Sequence, residues 1–306
     1  MTIVTTILTG IVLPIFALMG VGVLADRTLK PDLATLSKLN FYILAPALVF
    51  TKLYGSTLEG AFVAHVMAFN TVHLLVLLAF CHVAYRMRPL REHRSLLTLG
   101  TLFNNSGNYG LPFAQLAFGD AGVAVMALTL VFQNVTSFTL GLWLIGDERL
   151  GWWARLRAIL KTPMIHALIA AALCNAFNIH LPRVIEFPLA HLSDALVPMA
   201  LFTLGVQLSR SQWAGNAAVL SAVTAGRLVV APLAAALLAA VWNMVFPGAA
   251  SAAMPVLICG ASLPVAVNVY ILAREYDREP ELASRMVFWT TLVSAVTVTV
   301  WLALYG

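Results

Sequence analysis

Charged residues are scarce in this chain of 306 residues, and cysteines are scarcer still. Only 10% of the residues are charged, whereas 61% are hydrophobic. A soluble domain of this length could not bury so much apolar surface in one core, so the composition indicates that a lipid bilayer surrounds the chain. The cysteines Cys81, Cys174 and Cys259 lie inside apolar runs without the spacing of metal ligands. Neither a disulfide framework nor a zinc site is therefore indicated.

Catalytic patterns are missing as well. The sequence has no HExxH metal motif, no serine paired with a base and no pair of carboxylates at membrane depth, which argues against an intramembrane enzyme. The missing carboxylate pair also argues against sodium/proton exchange as the main activity. The net charge of +5 comes from basic residues in short loops, where membrane topology explains them without a nucleic-acid partner. We predict no enzyme, no catalytic residue, no bound metal and no nucleic acid.

Apolar runs of about 20 residues recur along the chain, and each is long enough to cross a bilayer as a helix. Lipid offers no partners for open backbone groups, so helices are required. The runs are continuous rather than alternating, which argues against a β-barrel. We therefore predict an all-α polytopic membrane protein with about ten transmembrane helices. The predicted helices cover residues 3–25, 34–53, 61–85, 94–117, 121–145, 161–178, 188–208, 214–241, 249–274 and 283–304.

Basic residues sort into alternate loops between these helices. The odd-numbered loops hold most of the arginines and lysines, whereas the even-numbered loops hold little beyond Lys52 and Arg183. Cytoplasmic loops carry an excess of positive charge, so the odd loops should face the cytoplasm. Both termini should then lie in the periplasm, which places a multi-pass protein in the inner membrane of a bacterium.

A polar segment, 147–160, divides the chain into two halves with five predicted helices each. The first half covers 1–146 and the second covers 161–306. Because each half holds an odd number of helices, the two halves must cross the membrane in opposite directions. This arrangement is the inverted repeat of many secondary transporters. We expect the linker, 147–160, to be cytoplasmic.

Four prolines support this repeat. The interval from Pro46 to Pro198 equals the interval from Pro112 to Pro264. Pro112 and Pro264 interrupt the fourth and ninth helices within FNNSGNYGLPF and CGASLPVAVN, where Gly, Ser and Asn also weaken a helix. We predict that both helices are broken and that each proline begins a second half-helix. Two simple proline kinks that serve packing alone are the alternative.

The two predicted breaks mark a candidate binding site. The unpaired N–H groups at the start of a half-helix attract anions, and two such N-termini would meet near the membrane midplane. Backbone exposed at a break must be satisfied by protein or line a water-filled cavity. The sequence therefore predicts a site for a small organic anion. A sodium ion held by backbone oxygens at the breaks is a second interpretation.

Amide side chains supply the candidate contacts in the first half of the chain. Asn104, Asn105 and Asn108 lie in the predicted break, where they would bind substrate or an ion, or else cap the half-helices. Tyr109 would serve as a gate or as an interfacial belt residue. Gln133 in the fifth helix would bind substrate or form a hydrogen bond between helices for packing alone.

Arg227 stands midway through the eighth predicted helix, without an obvious buried partner. An intramembrane arginine would suit a carboxylate substrate. The alternative is a structural arginine that binds backbone carbonyls or reaches Asp194. Four histidines are candidates for carrying a coupling proton, namely His65, His73, His82 and His166.

Segments in four helices, NFYILAPAL, NNSGNYGLP, VFQN and SLPVAVNVYILA, resemble the auxin efflux carrier family over nearly the whole chain. That family includes plant auxin carriers and bacterial permeases for malonate and related acids, and the short loops fit the bacterial branch. The resemblance implies ten helices with two crossing, broken helices, divided into a scaffold domain and a transport domain. It also implies kinship with bile-acid sodium symporters and sodium/proton antiporters.

The resemblance carries a substrate pocket over to particular residues. It would use Asn105 and Pro112 at the first break, Pro264 at the second break, and Gln133. The chain has no asparagine directly before Pro264, so the polar side of the second break would depend on Asn268.

These observations lead to one predicted function. The protein would be a secondary active transporter that moves a small carboxylate such as malonate by alternating access. A sodium-coupled symporter of an amphipathic solute, as in the bile-acid class, is the alternative. No cofactor beyond a coupling proton or sodium ion is expected, and the partners would be the carboxylate, the lipid bilayer and a second copy in a homodimer.

Overall fold

The computed structural model describes residues 3–54, 59–145, 153, 157, 160, 162–211 and 216–306. Within these residues the regular secondary structure is helical, and one isolated antiparallel bridge joins Asn104 to Val265. The all-α prediction is confirmed. The predicted division into two five-helix halves stays a prediction, and its linker, 147–160, lies outside the described residues apart from the three single residues above.

The described helices can be grouped into ten, two of which are broken. They are α1 Ile3–Thr28, α2 Leu33–Leu53, α3 Gly60–Ala84, α4a Arg94–Leu102, α4b 106–118, α5 120–144, α6 Pro163–Ala176, α7 Arg183–Ser209, α8 Ala217–Val245, α9a Met254–Ala261, α9b Val267–Glu275 and α10 Pro280–Tyr305. Seven described segments are long and apolar enough to cross a membrane unaided. One of these, Ser106–Leu144, contains both α4b and α5.

The ends of the helices follow from local chemistry. Gly119 has a φ of 63°, a left-handed value that glycine adopts freely, and it separates α4b from α5. The Asn216 side chain caps α8 by accepting from the N–H groups of Ala218 and Val219 at 3.1 and 3.4 Å. α7 begins at Arg183 rather than at 188, and α8 continues to Val245 rather than to 241.

Several prolines lie inside these helices directly after a wider, π-helical turn. Proline has no N–H group, so the carbonyl one turn earlier loses its partner, and a local π turn offers that carbonyl another one. In the described residues the turns at Leu8–Val12, Asn40–Leu44, Ser106–Gly110 and Gly226–Val230 precede Pro14, Pro46, Pro112 and Pro232, respectively.

The helices pack in two groups. α1 packs against α7, and α2 packs against both α6 and α7. The second group contains α3, α4a, α5, α8, α9a, α9b and α10, in which α9a contacts α5, α8 and α10. α4b joins the groups because it contacts α7 as well as its own continuation, α5. α4b thus lies where the second group meets α7, and the two groups also touch where α1 contacts α10.

Candidate functional site

The unwound segments of α4 and α9 cross and pair with each other. The N–H of Asn105 donates to the carbonyl of Pro264 at 2.8 Å, and the N–H of Ala266 donates to the carbonyl of Phe103 at 2.9 Å. Backbone groups at membrane depth need such internal partners because lipid offers none. Helices four and nine are therefore both broken, as the sequence predicts, and their unwound segments pair with each other at what is called the crossover below.

Two side chains from neighbouring helices satisfy the next backbone donors of the crossover. Gln133 of α5 accepts from the Asn104 N–H at 3.2 Å through its Oε1 atom. Thr290 of α10 accepts from the Val265 N–H at 3.0 Å through its hydroxyl. Each unwound segment is thus held by its partner segment and by one side chain behind it.

Neither half-helix begins at its proline. α4b begins at Ser106, and Pro112 lies inside it after the π turn. α9b begins at Val267, and Pro264 lies in the unwound segment, where its carbonyl binds the Asn105 N–H. The prediction that the prolines begin the half-helices is wrong, because pairing between the two segments sets the positions of the breaks.

Arg227 lies behind the crossover and is only 1% exposed. Its guanidinium donates to the carbonyls of Thr101 and Leu102 at 2.5 and 3.3 Å, and to the carbonyl of Ala261 at 2.6 Å. Within the described residues none of the ion pairs involves Arg227 or Asp194. These contacts favour the structural alternative over direct contact with a substrate.

A cavity of about 470 Å³ lies beside the crossover. Its lining includes the first residues of α4b and α9b together with residues of α2, α5, α6 and α7. It reaches from the buried Asn105 to Lys38 and Glu275, which are exposed. The cavity is thus bounded by both groups of helices and by both broken helices.

Five of the nine predicted site residues line this cavity, namely Asn104, Asn105, Asn108, Gln133 and Asn268. Four others do not line it, namely Tyr109, Pro112, Pro264 and Arg227. Tyr109 is fully buried, and its hydroxyl lies 3.4 Å from the hydroxyl of Ser294. The structure thus brings the amide residues together at the cavity and leaves Tyr109, the two prolines and Arg227 out of its lining.

The cavity also contains polar residues that the sequence did not single out as contacts. Asn134 accepts from Asn268 at 3.3 Å, and Ser137 lies one helical turn further along α5. Asn40, Lys38 and Glu275 also belong to the lining, as do Ser37 and Ser106. Gln133 and Ser137 are four residues apart, so they share a helix face. The spacing from Gln133 could have predicted Ser137 from the sequence, whereas Asn40 is brought to the cavity by the packing of α2 and has no such signal.

Several amide atoms at the cavity are buried and have no partner in the described part of the chain. They are Asn40 Oδ1, Asn104 Oδ1 and Asn105 Nδ2. Asn104 is oriented by donation from its Nδ2 to the carbonyl of Gly260 at 2.9 Å, and Asn40 by donation from its Nδ2 to the Thr203 hydroxyl at 2.9 Å. Unpaired buried polar atoms are unfavourable, so these atoms are suited to meeting a ligand or water.

The electrostatics of the cavity come mainly from helix ends. α4b and α9b both begin at the cavity, and a helix N-terminus carries about half a positive elementary charge. The buried polar side chains of the lining are uncharged amides and hydroxyls, namely Asn40, Asn104, Asn105, Ser106, Asn134 and Ser137. The arrangement can therefore attract an anion and orient it by hydrogen bonds.

Comparison of this chain with known protein sequences identifies its family. The family described as "Membrane transport protein" matches residues 7–151 and 153–302. The chain belongs to this family. Among its relatives, a Rhizobium meliloti (strain 1021) protein named "Putative malonate transporter" is 26% identical over 304 residues, covering 95% of this chain and 94% of the relative. A Methanothermobacter thermautotrophicus protein named "Uncharacterized transporter" is 29% identical over 306 residues, covering 97% and 96% of the two chains.

Membership of the membrane transport protein family confirms the resemblance to the auxin efflux carriers. The protein is a multi-pass membrane transporter, which agrees with the apolar helices described above. The family and the names of the relatives point to transport rather than to an enzymatic reaction.

Proposed function

We propose that this protein moves a small organic anion, a carboxylate such as malonate, across the bacterial inner membrane by alternating access around the crossover. One observation carries the proposal: two half-helix N-termini and the unpartnered Asn105 Nδ2 donor meet at a single cavity. Backbone N–H groups and an amide N–H are the donors that a carboxylate accepts from. The name of the Rhizobium meliloti relative is consistent with this substrate class.

The direction in which the cavity opens follows from the charge of the loops. Its exposed lining includes Lys38, near the N-terminal end of α2, and Glu275, at the C-terminal end of α9b. The adjoining loops hold Lys30 and Arg278 and belong to the basic set that faces the cytoplasm by the positive-inside rule. The cavity is then open to the cytoplasm, with both termini on the periplasmic side.

A test of this proposal begins with binding. Purified protein is heated with a panel of mono- and dicarboxylates while sodium and pH are varied. We expect malonate or a close analogue to raise the melting temperature, because a ligand that binds only the folded state stabilises it. Replacing Asn105 with Ala should weaken the apparent affinity by roughly ten-fold or more, since a hydrogen bond to a charged group contributes about 1.5–3 kcal/mol.

The matched control removes an amide of α3 that does not line the cavity. Asn70 is 7% exposed, and its Nδ2 donates to the carbonyl of Val66 at 2.9 Å. Asn70→Ala should lower stability without changing the affinity for the carboxylate. A panel without any carboxylate effect would contradict the proposal, and equal losses of affinity in both variants would contradict the role of Asn105.

A sodium-coupled symporter of an amphipathic solute is the second candidate. Apolar residues such as Phe41, Leu130 and Met164 line the same cavity, and the unpartnered oxygens of Asn40 and Asn104 are ligands that sodium accepts. In that case sodium alone would raise the melting temperature, and solute binding would require sodium. Carboxylate binding that is independent of sodium would exclude this candidate.

A further inference from the structure

Arg227 is a buried cation whose partners are all backbone carbonyls. It is 1% exposed and takes part in none of the ion pairs of the described residues. Arginine stays protonated even when it is buried. Its charge must therefore be balanced by something other than a carboxylate side chain.

The balancing groups are the ends of two helices. Thr101 and Leu102 are the last residues of α4a, and Ala261 is the last residue of α9a. All three carbonyls accept from the guanidinium. A helix C-terminus carries about half a negative elementary charge, so the two ends together offset about one positive charge.

The other two helix ends at the crossover face the cavity. α4b and α9b begin there, and each N-terminus carries about half a positive elementary charge. Without Arg227 the two positive and two negative ends would sum to roughly zero, so the crossover as a whole would carry no net charge and its attraction for anions would be weaker. With Arg227 the negative ends are offset, and about one positive elementary charge is left at the cavity.

We infer that Arg227 determines the preference of the crossover for anions, acting through the half-helix ends rather than by touching the substrate. This inference rests on the proposed function and deepens it. It assigns the residue a role different from both substrate contact and simple packing. The net charge of about one also fits a single carboxylate group bound at the crossover.

The test compares a charged probe with an uncharged probe of the same shape. Malonate and malonamide share a skeleton, so the ratio of their affinities reports the preference for charge. We expect wild type to bind malonate more tightly than malonamide. In Arg227→Gln the malonate-to-malonamide affinity ratio should fall by roughly ten-fold, whereas Arg227→Lys should keep most of the wild-type ratio. Structural damage alone would weaken both probes together and leave the ratio unchanged.

Arg210→Gln serves as the control for removing one guanidinium. Arg210 forms a partly exposed ion pair with Asp26 at 2.6 Å at the ends of α7 and α1, where solvent screens its charge. The malonate-to-malonamide ratio of this variant should match wild type. A similar fall of the malonate-to-malonamide ratio in Arg210→Gln would overturn the inference that Arg227 sets the anion preference of the crossover.

The outcomes separate the inference from the proposed function. If wild type binds no small carboxylate, or binds malonate and malonamide equally, the proposed function fails and the inference fails with it. If wild type prefers malonate and folded Arg227→Gln keeps the full preference, the inference alone fails. Should Arg227→Gln not fold, Arg227→Met decides, because methionine keeps much of the length of the side chain without its charge: a lowered ratio supports the electrostatic role, and a retained ratio overturns it.

Discussion

At the scale of single residues, Gln133 links the cavity to the backbone of the crossover. Its Oε1 accepts from the Asn104 N–H at 3.2 Å, and its side chain also lines the cavity. Asn104 in turn binds the carbonyl of Gly260 at the end of α9a. One amide of α5 thereby supports a chain of contacts that connects both broken helices.

We expect Gln133→Ala to lower the free energy of unfolding by about 1–3 kcal/mol, because the buried Asn104 N–H loses its acceptor. Thermal unfolding of the purified protein in detergent measures the loss. Gln115→Ala is the matched control, since Gln115 donates to the exposed Asp120 carboxylate at 3.1 Å and should contribute less than about 1 kcal/mol. Equal melting temperatures for the two variants would contradict the support role of Gln133.

The sequence indicated the amide residues that line the cavity better than the residues that support them. Asn104 and Asn105 could be found because amides inside an apolar segment need partners. The contacts of Arg227 could not be found, because Thr101 and Ala261 are far from it in sequence and meet it only after folding. Local sequence shows that a charge is unusual, but not which carbonyls surround it.

At the scale of helices, two glycines allow α1 and α7 to touch through their backbones. A Cβ atom on Gly22 would lie 2.1 Å from the carbonyl oxygen of Phe202, and one on Gly205 would lie 2.0 Å from the carbonyl oxygen of Met19. Small residues at such crossings let membrane helices approach closely. Backbone atoms cannot move aside as the end of a flexible side chain can.

We expect Gly22→Ala and Gly205→Ala each to destabilise the protein by about 1–3 kcal/mol, because the added methyl group forces the helices apart. Gly20→Ala is the control on the same helix, since a Cβ there meets nothing within 4 Å. Alanine favours helix, so this control should be neutral or stabilising by up to about 1 kcal/mol. The melting temperatures of the three variants are measured by size-exclusion chromatography after heating. A Gly22→Ala protein as stable as Gly20→Ala would contradict the close backbone contact between α1 and α7.

Helix positions were largely predictable, whereas the starts of the half-helices were not. Long apolar runs and the Gly, Pro and Asn residues near Pro112 and Pro264 mark the broken helices in the sequence. The starts at Ser106 and Val267 depend on pairing between two segments far apart in the chain. Proline shows where a helix is weak, but tertiary contacts decide where it stops.

At the scale of the whole molecule, the two ends of α2 differ. Lys38, near the N-terminal end, lines the cavity and is exposed, whereas Lys52, near the C-terminal end, pairs with Asp120 of α5 at 2.7 Å. The two lysines are about 21 Å apart along the helix at a rise of 1.5 Å per residue. The ion pair joins the two groups of helices at the end away from the open cavity, as the proposed alternating access would require.

The sequence predicts the orientation of the helices in the membrane, but it does not predict the side to which the cavity opens. The alternation of basic loops predicts the orientation of every helix from composition alone. The side to which the cavity opens depends instead on how the helices pack, including contacts such as Lys52–Asp120. Composition is common to all states of a transporter, so it cannot distinguish one state from another.

We propose above that the protein binds small carboxylates in the cavity at the crossover and moves them across the membrane. The most direct test of this proposal is the uptake of labelled malonate into proteoliposomes that contain the purified protein, with proton and sodium gradients imposed separately. We expect uptake that unlabelled small carboxylates inhibit and that falls by roughly ten-fold or more in Asn105→Ala, in line with the loss of one charge-assisted hydrogen bond. Absence of flux for malonate and for every other small carboxylate, under either gradient, would contradict the account.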